Sequence, residues 1–140
     1  MEERKTLGYD WEFGHEELVL EVGAYSYGDR LYIGLLHKED GQMESFADLT
    51  INLPYSPAEP NEAYIDDFTR QSKLKFIRKH KLGKVLLEEG YSGYGRYSKV
   101  VFDLERLAEL DPKGVGEYRR LQEMSGHGPE KSKKKRGRER

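Results

Sequence analysis

The segment 90-GYSGYGRYSKV-100 contains the residue types that bind anions or stack on bases, namely glycines, tyrosines and an arginine. Gly90 and Gly95 have the spacing of the glycines in a nucleotide-phosphate loop, whose backbone amides surround the phosphates. Arg96-Tyr97 replaces the lysine and the serine or threonine of that motif. The residues that follow favour a strand, so no helix N-terminus would face the anion. The phosphate-loop interpretation is therefore disfavoured.

Two interpretations of this segment remain. In the first, it is a stacking surface for nucleic acid, because aromatic rings and arginine stack on bases. The residues of that surface are Tyr91, Tyr94, Arg96 and Tyr97. In the second, it is a hairpin at the edge of a sheet, in which glycines allow positive φ and tyrosines pack half-buried on a pleated surface. The second needs no ligand and is the default.

A basic segment precedes this stretch, since no acidic residue lies between Asp67 and Glu88. Its cations are Arg70, Lys73, Lys75, Arg78, Lys79, Lys81 and Lys84. At 100° per residue they spread around a helix rather than forming one stripe. The segment is either a solvated helix that balances an acidic sheet or a second part of a nucleic-acid surface.

The net charge of −2 conceals an asymmetry between the body and the C-terminus. Residues 130–140 contain seven Lys/Arg and two Glu, which leaves 17 Lys/Arg and 24 Asp/Glu in residues 1–129. An acidic body with a basic tail indicates a charged partner. We expect a single domain over residues 1–125 and a flexible tail over 126–140, whose basic cluster is Lys133, Lys134, Lys135 and Arg136.

Composition excludes several classes of chemistry. The chain has no cysteine, which excludes disulfides, thiolate catalysis and cysteine-based zinc sites. It has no apolar run long enough to cross a membrane, and its N-terminus lacks the apolar region of a signal peptide, so we expect a cytoplasmic protein without a membrane partner.

The histidines do not form a recognisable motif. Val19 stands where H-E-x-x-H requires its second histidine after His15, and the four histidines never fall at metal-ligand spacing. The sequence therefore predicts no catalytic residue, no cofactor and no metal.

The hydrophobic pattern predicts an α+β fold that begins with an antiparallel meander. Alternation over 18–25, the apolar run 31–37 and the run 45–53 predict strands. Asp40-Gly41 is typical of a hairpin turn. An earlier strand over 9–13 can pair across a turn at Gly14-His15.

The second half of the chain combines helices and strands. Three prolines predict an ordered surface connection over 54–64, followed by a helix from near Phe68 to about His80 that Asp66 or Asp67 caps. Strands follow around 85–88 and 97–102, then short helices over 104–110, with Asp103 as cap, and over 115–124. We expect an antiparallel meander sheet of four to six strands, one main helix and short C-terminal helices.

Four pieces of the sequence resemble a known family: Thr50 to Pro54, Pro60 to Asp66, Gly90 to Gly93 and Phe102 to Leu107. They are similar to a small bacterial family of unknown function carried on conjugative plasmids and integrative mobile elements. The resemblance covers about residues 6 to 110. It implies an accessory protein of a mobile element and transfers no catalytic residue.

We therefore expect a non-enzymatic protein that binds a host or element macromolecule. In the first version, the acidic, tyrosine-rich body binds a protein and acts against a host defence or as a DNA mimic. In the second, the basic helix 70–84, Arg96 and the Lys/Arg tail bind nucleic acid. A small enzyme is a third alternative, which requires His37 or His80 beside carboxylates in a cleft.

Overall fold

A computed structural model describes residues 5–26, 28–53, 55–66, 72–92 and 95–124. These ranges contain seven strands and three helices. The strands are β1 (Leu7–Trp11), β2 (Gly14–Ala24), β3 (Leu31–Glu39), β4 (Gln42–Asp48), β5 (Glu62–Ile65), β6 (Gly83–Ser92) and β7 (Gly95–Phe102). The helices are α1 (Ser72–Lys79), α2 (Leu104–Leu110) and α3 (Pro112–Met124).

The predicted α+β antiparallel fold is confirmed, with the strands divided between two sheets. The first is the meander β1-β2-β3-β4 and the second has the order β5-β7-β6. As predicted, Asp40 and Gly41 form the β3–β4 turn, with φ values of 52° and 80° that match a type I′ hairpin.

The first hairpin turns earlier than the sequence predicted. Trp11 pairs with Gly14, so Glu12 and Phe13 form the turn instead of Gly14-His15. This register pairs Leu7 with Leu18, and both side chains are buried. A two-residue turn at 14–15 would shift the pairing by four residues and place Leu7 opposite Val22 instead.

The prediction of a surface connection over 54–64 was wrong for its last residues. β5 pairs with β7, and its side chains Ala63, Tyr64 and Ile65 are buried. The prolines before it obscured this four-residue strand. The strand predicted over 45–53 ends at Asp48, after which Ile51 forms an isolated bridge with Tyr64 that connects the two sheets.

The helices also differ from prediction in extent. The predicted start of α1 near Phe68, and Asp67, lie outside the described residues. α3 begins at Pro112 rather than near 115 and is the longest described helix, with 13 residues. Proline suits the first helical position, because the amide it lacks would have no partner there. Gly114 and Gly116 weaken the helical pattern in the sequence.

One hydrophobic core joins both sheets and all three helices. α1 contributes Phe76 and Ile77, and α3 contributes Val115 and Tyr118. Tyr9 lies between the rings of Phe46 and Phe76, at centroid distances of 5.8 and 5.3 Å in edge-to-face geometry. The core therefore fixes α1 against β1 and, through the second sheet, against β6 and β7.

Asp111 joins α2 and α3 to the first sheet. Its buried carboxylate accepts the Val22 amide of β2 at 2.9 Å and the Gly114 amide of α3 at 3.1 Å. The Asp111 amide also donates to Leu107 of α2. A side chain at Gly114 would collide with the Asp111 carboxylate and the Val22 carbonyl, so glycine is required at this contact.

We expect Asp111→Ala to lower the free energy of unfolding by about 3 kcal/mol, because it removes a helix cap and leaves the buried Val22 amide without its acceptor. Asp103→Ala is the matched control, since it removes only an exposed cap and should cost about 1 kcal/mol. Urea unfolding measures both. Equal losses in the two variants would contradict this role of Asp111.

Candidate anion-binding site

A shallow depression lies where α1 ends and β6 begins. It has a volume of about 450 Å³. Three cationic side chains line it, Arg78 from the last turn of α1, Lys81 from the connection and Lys84 from β6. The other lining residues are Gly83, Val101, Phe102 and Asp103. We call this depression the basic cleft.

The end of α1 determines where these cations lie. The Leu82 amide donates to the Ile77 carbonyl at 2.9 Å, and the Lys81 amide donates to Arg78 at 3.2 Å. This pair of bonds is a Schellman motif, which reverses the chain after a helix. Leu82 is fully buried, and the chain then enters β6 at once. The buried Leu82 thereby holds Lys81, before it, and Lys84, after it, at the opening of the cleft.

Gly83 allows the two strands beneath the cleft to approach closely. A Cβ atom at Gly83 would lie 2.5 Å from the Val101 carbonyl oxygen and 3.0 Å from the Phe102 Cα. Any larger residue would displace β7, which forms the floor of the cleft. Glycine here is a packing requirement.

Lys81 adopts a left-handed backbone conformation, with φ of 58°. Asp29 and Asp40 share this conformation, but aspartate tolerates it in turns. The corresponding position of a Schellman motif usually holds glycine, because a Cβ atom costs about 1 kcal/mol there. A lysine retained in a strained conformation at the mouth of a cleft is a candidate functional residue.

The lining of the cleft has a net positive charge, because its three cations outnumber its one carboxylate, Asp103. Among the described residues, no carboxylate lies within ion-pair distance of Arg78, Lys81 or Lys84. Asp103, the carboxylate of the lining, accepts the Glu105 and Arg106 amides at 3.1 and 3.2 Å, as its predicted cap role requires. The cleft is therefore suited to an anion whose charge is spread over several oxygens, such as a phosphate chain.

Two cations next to the cleft, Lys79 and Arg106, form ion pairs with carboxylates. Lys79 lies 3.5 Å from the Asp10 carboxylate. Arg106 forms an ion pair with Glu109 at 2.9 Å and donates to the His80 carbonyl. His80 contacts the Gly8 carbonyl through Nε2 at 2.8 Å, and its ring packs on Phe76, so it supports the fold. Arg78, Lys81 and Lys84 differ from these two cations in having no ion pair among the described residues.

The structure separates two residues that the sequence placed in one nucleic-acid surface with the helix. Arg96 and Tyr97 lie at the far end of the β6–β7 hairpin, roughly 15–20 Å from Val101 and Phe102 of the cleft at about 3.3 Å per strand residue. Arg96 Nε lies 3.7 Å from a Glu89 carboxylate oxygen. Of the predicted basic helix 70–84, the cleft brings together Arg78, Lys81 and Lys84, but α1 ends at Lys79 and Lys84 lies on β6.

The other residues predicted to bind nucleic acid are not among the residues that line the cleft. Lys73 is half-buried on α1, one turn or more before the cleft. The others lie outside the described residues or have side chains outside them: Arg70, Tyr91, Tyr94, Lys133, Lys134, Lys135 and Arg136.

Residues 19–122 match the family model named Domain of unknown function (DUF4313). The match covers most of the chain and includes the whole basic cleft. The chain belongs to the DUF4313 family. This confirms the predicted relation to a family of unknown function. No curated protein and no solved structure matches the chain. No described helix is long and apolar enough to cross a membrane.

Several tyrosines of the DUF4313 domain brace the fold through their hydroxyl groups. Tyr64 and Tyr118 donate to the carbonyls of Pro57 and Pro60. Tyr25 donates to the Thr50 carbonyl at 2.9 Å and Tyr32 to the Asp48 carboxylate at 2.9 Å. Burial, with the Asp48 hydrogen bond, raises the pKa of Tyr32. These internal bonds account for four of the ten tyrosines.

His15 precedes the matched range and forms an exposed charge cluster. Its Nδ1 lies 2.6 Å from Asp10 and its Nε2 2.6 Å from Glu17. Gly8 leaves room for the ring, because a Cβ there would lie 2.9 Å from the His15 Cε1. The hydrogen bond to Asp10, followed by that to Glu17, raises the pKa of His15 above its ordinary 6.5. Both ring nitrogens are occupied by these bonds.

We expect Lys81→Gly to raise the free energy of unfolding by about 1 kcal/mol, because glycine adopts positive φ without strain. Lys84→Gly removes the same charge from a strand and should lower stability by about 0.5–1 kcal/mol. Urea unfolding distinguishes the two. A loss of stability in Lys81→Gly would show that the lysine side chain, rather than its backbone angle, governs this position.

We expect the His15 imidazole to titrate above pH 6.5, as measured by the NMR shift of its Cε1 proton. Because folding raises this pKa, the stabilisation by His15 is complete below pH 6.5 and disappears as pH rises through the folded-state value. Asp10→Asn should lower the midpoint, whereas Glu16→Gln should not. A midpoint at or below 6.5 in the unaltered protein would refute the cluster.

Proposed function

We propose that the protein binds the phosphate backbone of a nucleic acid through the basic cleft, as a non-enzymatic accessory protein. The observation that supports this is the convergence of Arg78, Lys81 and Lys84, unpaired among the described residues, on one depression. Cations that neutralise phosphates release condensed counterions, which supplies most of non-specific nucleic-acid affinity.

The floor of the cleft favours backbone contact over base contact. Phe102 is buried, with 1% of its surface exposed, so its ring is not available for stacking on a base. Gly83 and Val101 also line the cleft, and neither has a side-chain group that could form a hydrogen bond with a base. Contacts limited to phosphates fix position without reading sequence. The proposed binding is therefore tolerant of sequence and sensitive to salt.

The lining of the cleft supports a binding role rather than a catalytic one. Its described residues include no histidine and no hydroxyl or thiol nucleophile. The carboxylate of Asp103 is engaged as a helix cap. General acid–base catalysis needs a group within hydrogen-bond reach of substrate and near its working pKa, and lysine and arginine are poorly matched to that task.

The resemblance at Thr50 to Pro54 and Pro60 to Asp66 extends the proposal to a biological setting. We place the protein in the cytoplasm, as a product of a plasmid or integrative element. There it would act on element or host nucleic acid during transfer or maintenance.

A protein partner on the outer face of the first sheet is the second candidate. Glu21, Gly34 and Asp48 lie in one row across β2, β3 and β4, and the Tyr32 ring covers Gly34. Two carboxylates beside an aromatic pair, Tyr25 and Tyr32, would suit a cationic protein surface. The hydroxyls of both tyrosines are satisfied internally, so the cleft is the stronger candidate.

Fluorescence anisotropy with a labelled DNA or RNA oligonucleotide at two salt concentrations tests the proposal. We expect the triple variant Arg78→Gln, Lys81→Gln, Lys84→Gln to weaken binding at least tenfold. The slope of log affinity against log salt should fall by about two to three, one counterion for each lost phosphate contact. The matched control changes three exposed cations of α3, Lys113, Arg119 and Arg120, to glutamine.

Equal losses in the cleft variant and the α3 control would contradict a site at the cleft, because both remove three charges. A further variant changes Lys133, Lys134, Lys135 and Arg136 to glutamine. Loss of binding in that variant alone would assign the affinity to the tail as a non-specific arm. Absence of binding by the unaltered protein would reject the nucleic-acid proposal and favour the protein partner.

A further inference from the structure

The β3–β4 hairpin brings together three metal-ligating side chains that are separated in sequence. His37 and Glu39 lie two residues apart on β3, so they project from the same face of the strand. Glu44 lies directly opposite His37 on β4. One ligand atom of each residue lies within 4.8 Å of the others. We call His37, Glu39 and Glu44 the hairpin triad.

The spacing within the hairpin triad suits a cation better than a hydrogen bond. His37 Nε2 lies 3.6 Å from Glu39 Oε1, which exceeds hydrogen-bond length. Two ligands of one tetrahedral zinc, each about 2.0–2.1 Å from the ion, are separated by about 3.4 Å. The Glu44 oxygen lies within 4.8 Å of both of these ligand atoms, and its side chain is exposed.

The surroundings hold the histidine in place. The His37 ring packs edge-to-face on Phe46 at a centroid distance of 5.8 Å, and its side chain is 27% exposed. Phe46 in turn contacts Tyr9 of the core cluster and Trp11, which packs against that cluster. The type I′ turn at Asp40-Gly41 fixes the pairing of the two strands close to the triad. The contact with Phe46 and the paired strands therefore hold the His37 imidazole in a fixed position, on the same hairpin as both carboxylates.

The His15 cluster provides an internal contrast. It has the same residue types, but both of its ring nitrogens already lie 2.6 Å from carboxylates, which leaves no space for an ion between them. In the hairpin triad, the described residues place no lysine or arginine within ion-pair distance of Glu39 or Glu44. Their negative charge is thus not balanced by a described side-chain cation.

We propose that the hairpin triad binds a divalent transition-metal ion of the zinc class. One imidazole nitrogen and two carboxylate oxygens supply three ligands, and water completes the coordination. Imidazole distinguishes such ions from Mg²⁺, which prefers oxygen ligands and retains its own waters. The site is independent of the basic cleft, because it lies on the first sheet and uses none of the cleft residues.

Isothermal titration calorimetry of the full chain with ZnCl₂ in metal-free buffer tests this site. We expect one high-affinity Zn²⁺ per chain and no binding of MgCl₂ at the same concentrations. Glu44→Gln and His37→Gln should each weaken the zinc Kd at least about tenfold, since even partners behind the ligands contribute that much. His15→Gln is the matched control and should leave the Kd unchanged, as should His127→Gln.

NMR of the histidine signals and variants of the two glutamates provide two further measurements of the site. Zinc should shift the NMR signal of the His37 Cε1 proton and leave that of His15 in place. Should His37→Gln fail to fold, Glu39→Gln and Glu44→Gln change only exposed side chains and carry the test. An unchanged Kd in Glu44→Gln, a loss of zinc binding in His15→Gln, or equal affinity for Mg²⁺ would overturn the proposal.

Discussion

The burial of Leu82 is the constraint on which the second half of the structure depends. Its side chain is 0% exposed, its amide completes the end of α1, and its carbonyl accepts the Asp103 amide at 2.9 Å. One residue therefore connects α1, the start of β6 and the start of α2. Because Lys81 and Lys84 lie on either side of it, the same contact that closes the core also positions the basic cleft.

The position of each charged side chain tells more about its role than the net charge of the chain does. The net charge is −2, yet Lys99 and the cleft show two opposite uses of lysine. The Lys99 side chain is 9% exposed, lies 3.1 Å from a Glu62 carboxylate oxygen and packs near the Tyr64 ring. Its charge is therefore neutralised by a partner within the second sheet. Lys81 has no such partner among the described residues and is held at the cleft despite an unfavourable backbone angle.

Period-two patterns and turn residues made the meander predictable from sequence, because each strand and the Asp40-Gly41 turn are local features. The division into two sheets was not predictable, since it depends on β5, a short strand hidden behind prolines that only pairing with β7 reveals. The sequence predicted the basic segment that supplies the cations of the cleft, but not the cleft itself. Its geometry comes from a reversal at Leu82 and from Gly83 beneath it. The hairpin triad depends on cross-strand register, which histidine spacing along the chain does not report.

Two-dimensional NMR of the ¹⁵N-labelled protein, titrated with a short oligonucleotide, would show directly whether nucleic acid binds at the basic cleft. If the basic cleft binds the phosphate backbone, the amides of residues 78–84 and 101–103 should shift first. Those around Arg96, at the far end of the hairpin, should not. Shifts confined to the hairpin end or to the row containing Glu21 and Asp48, or no shifts in the folded body at all, would contradict it.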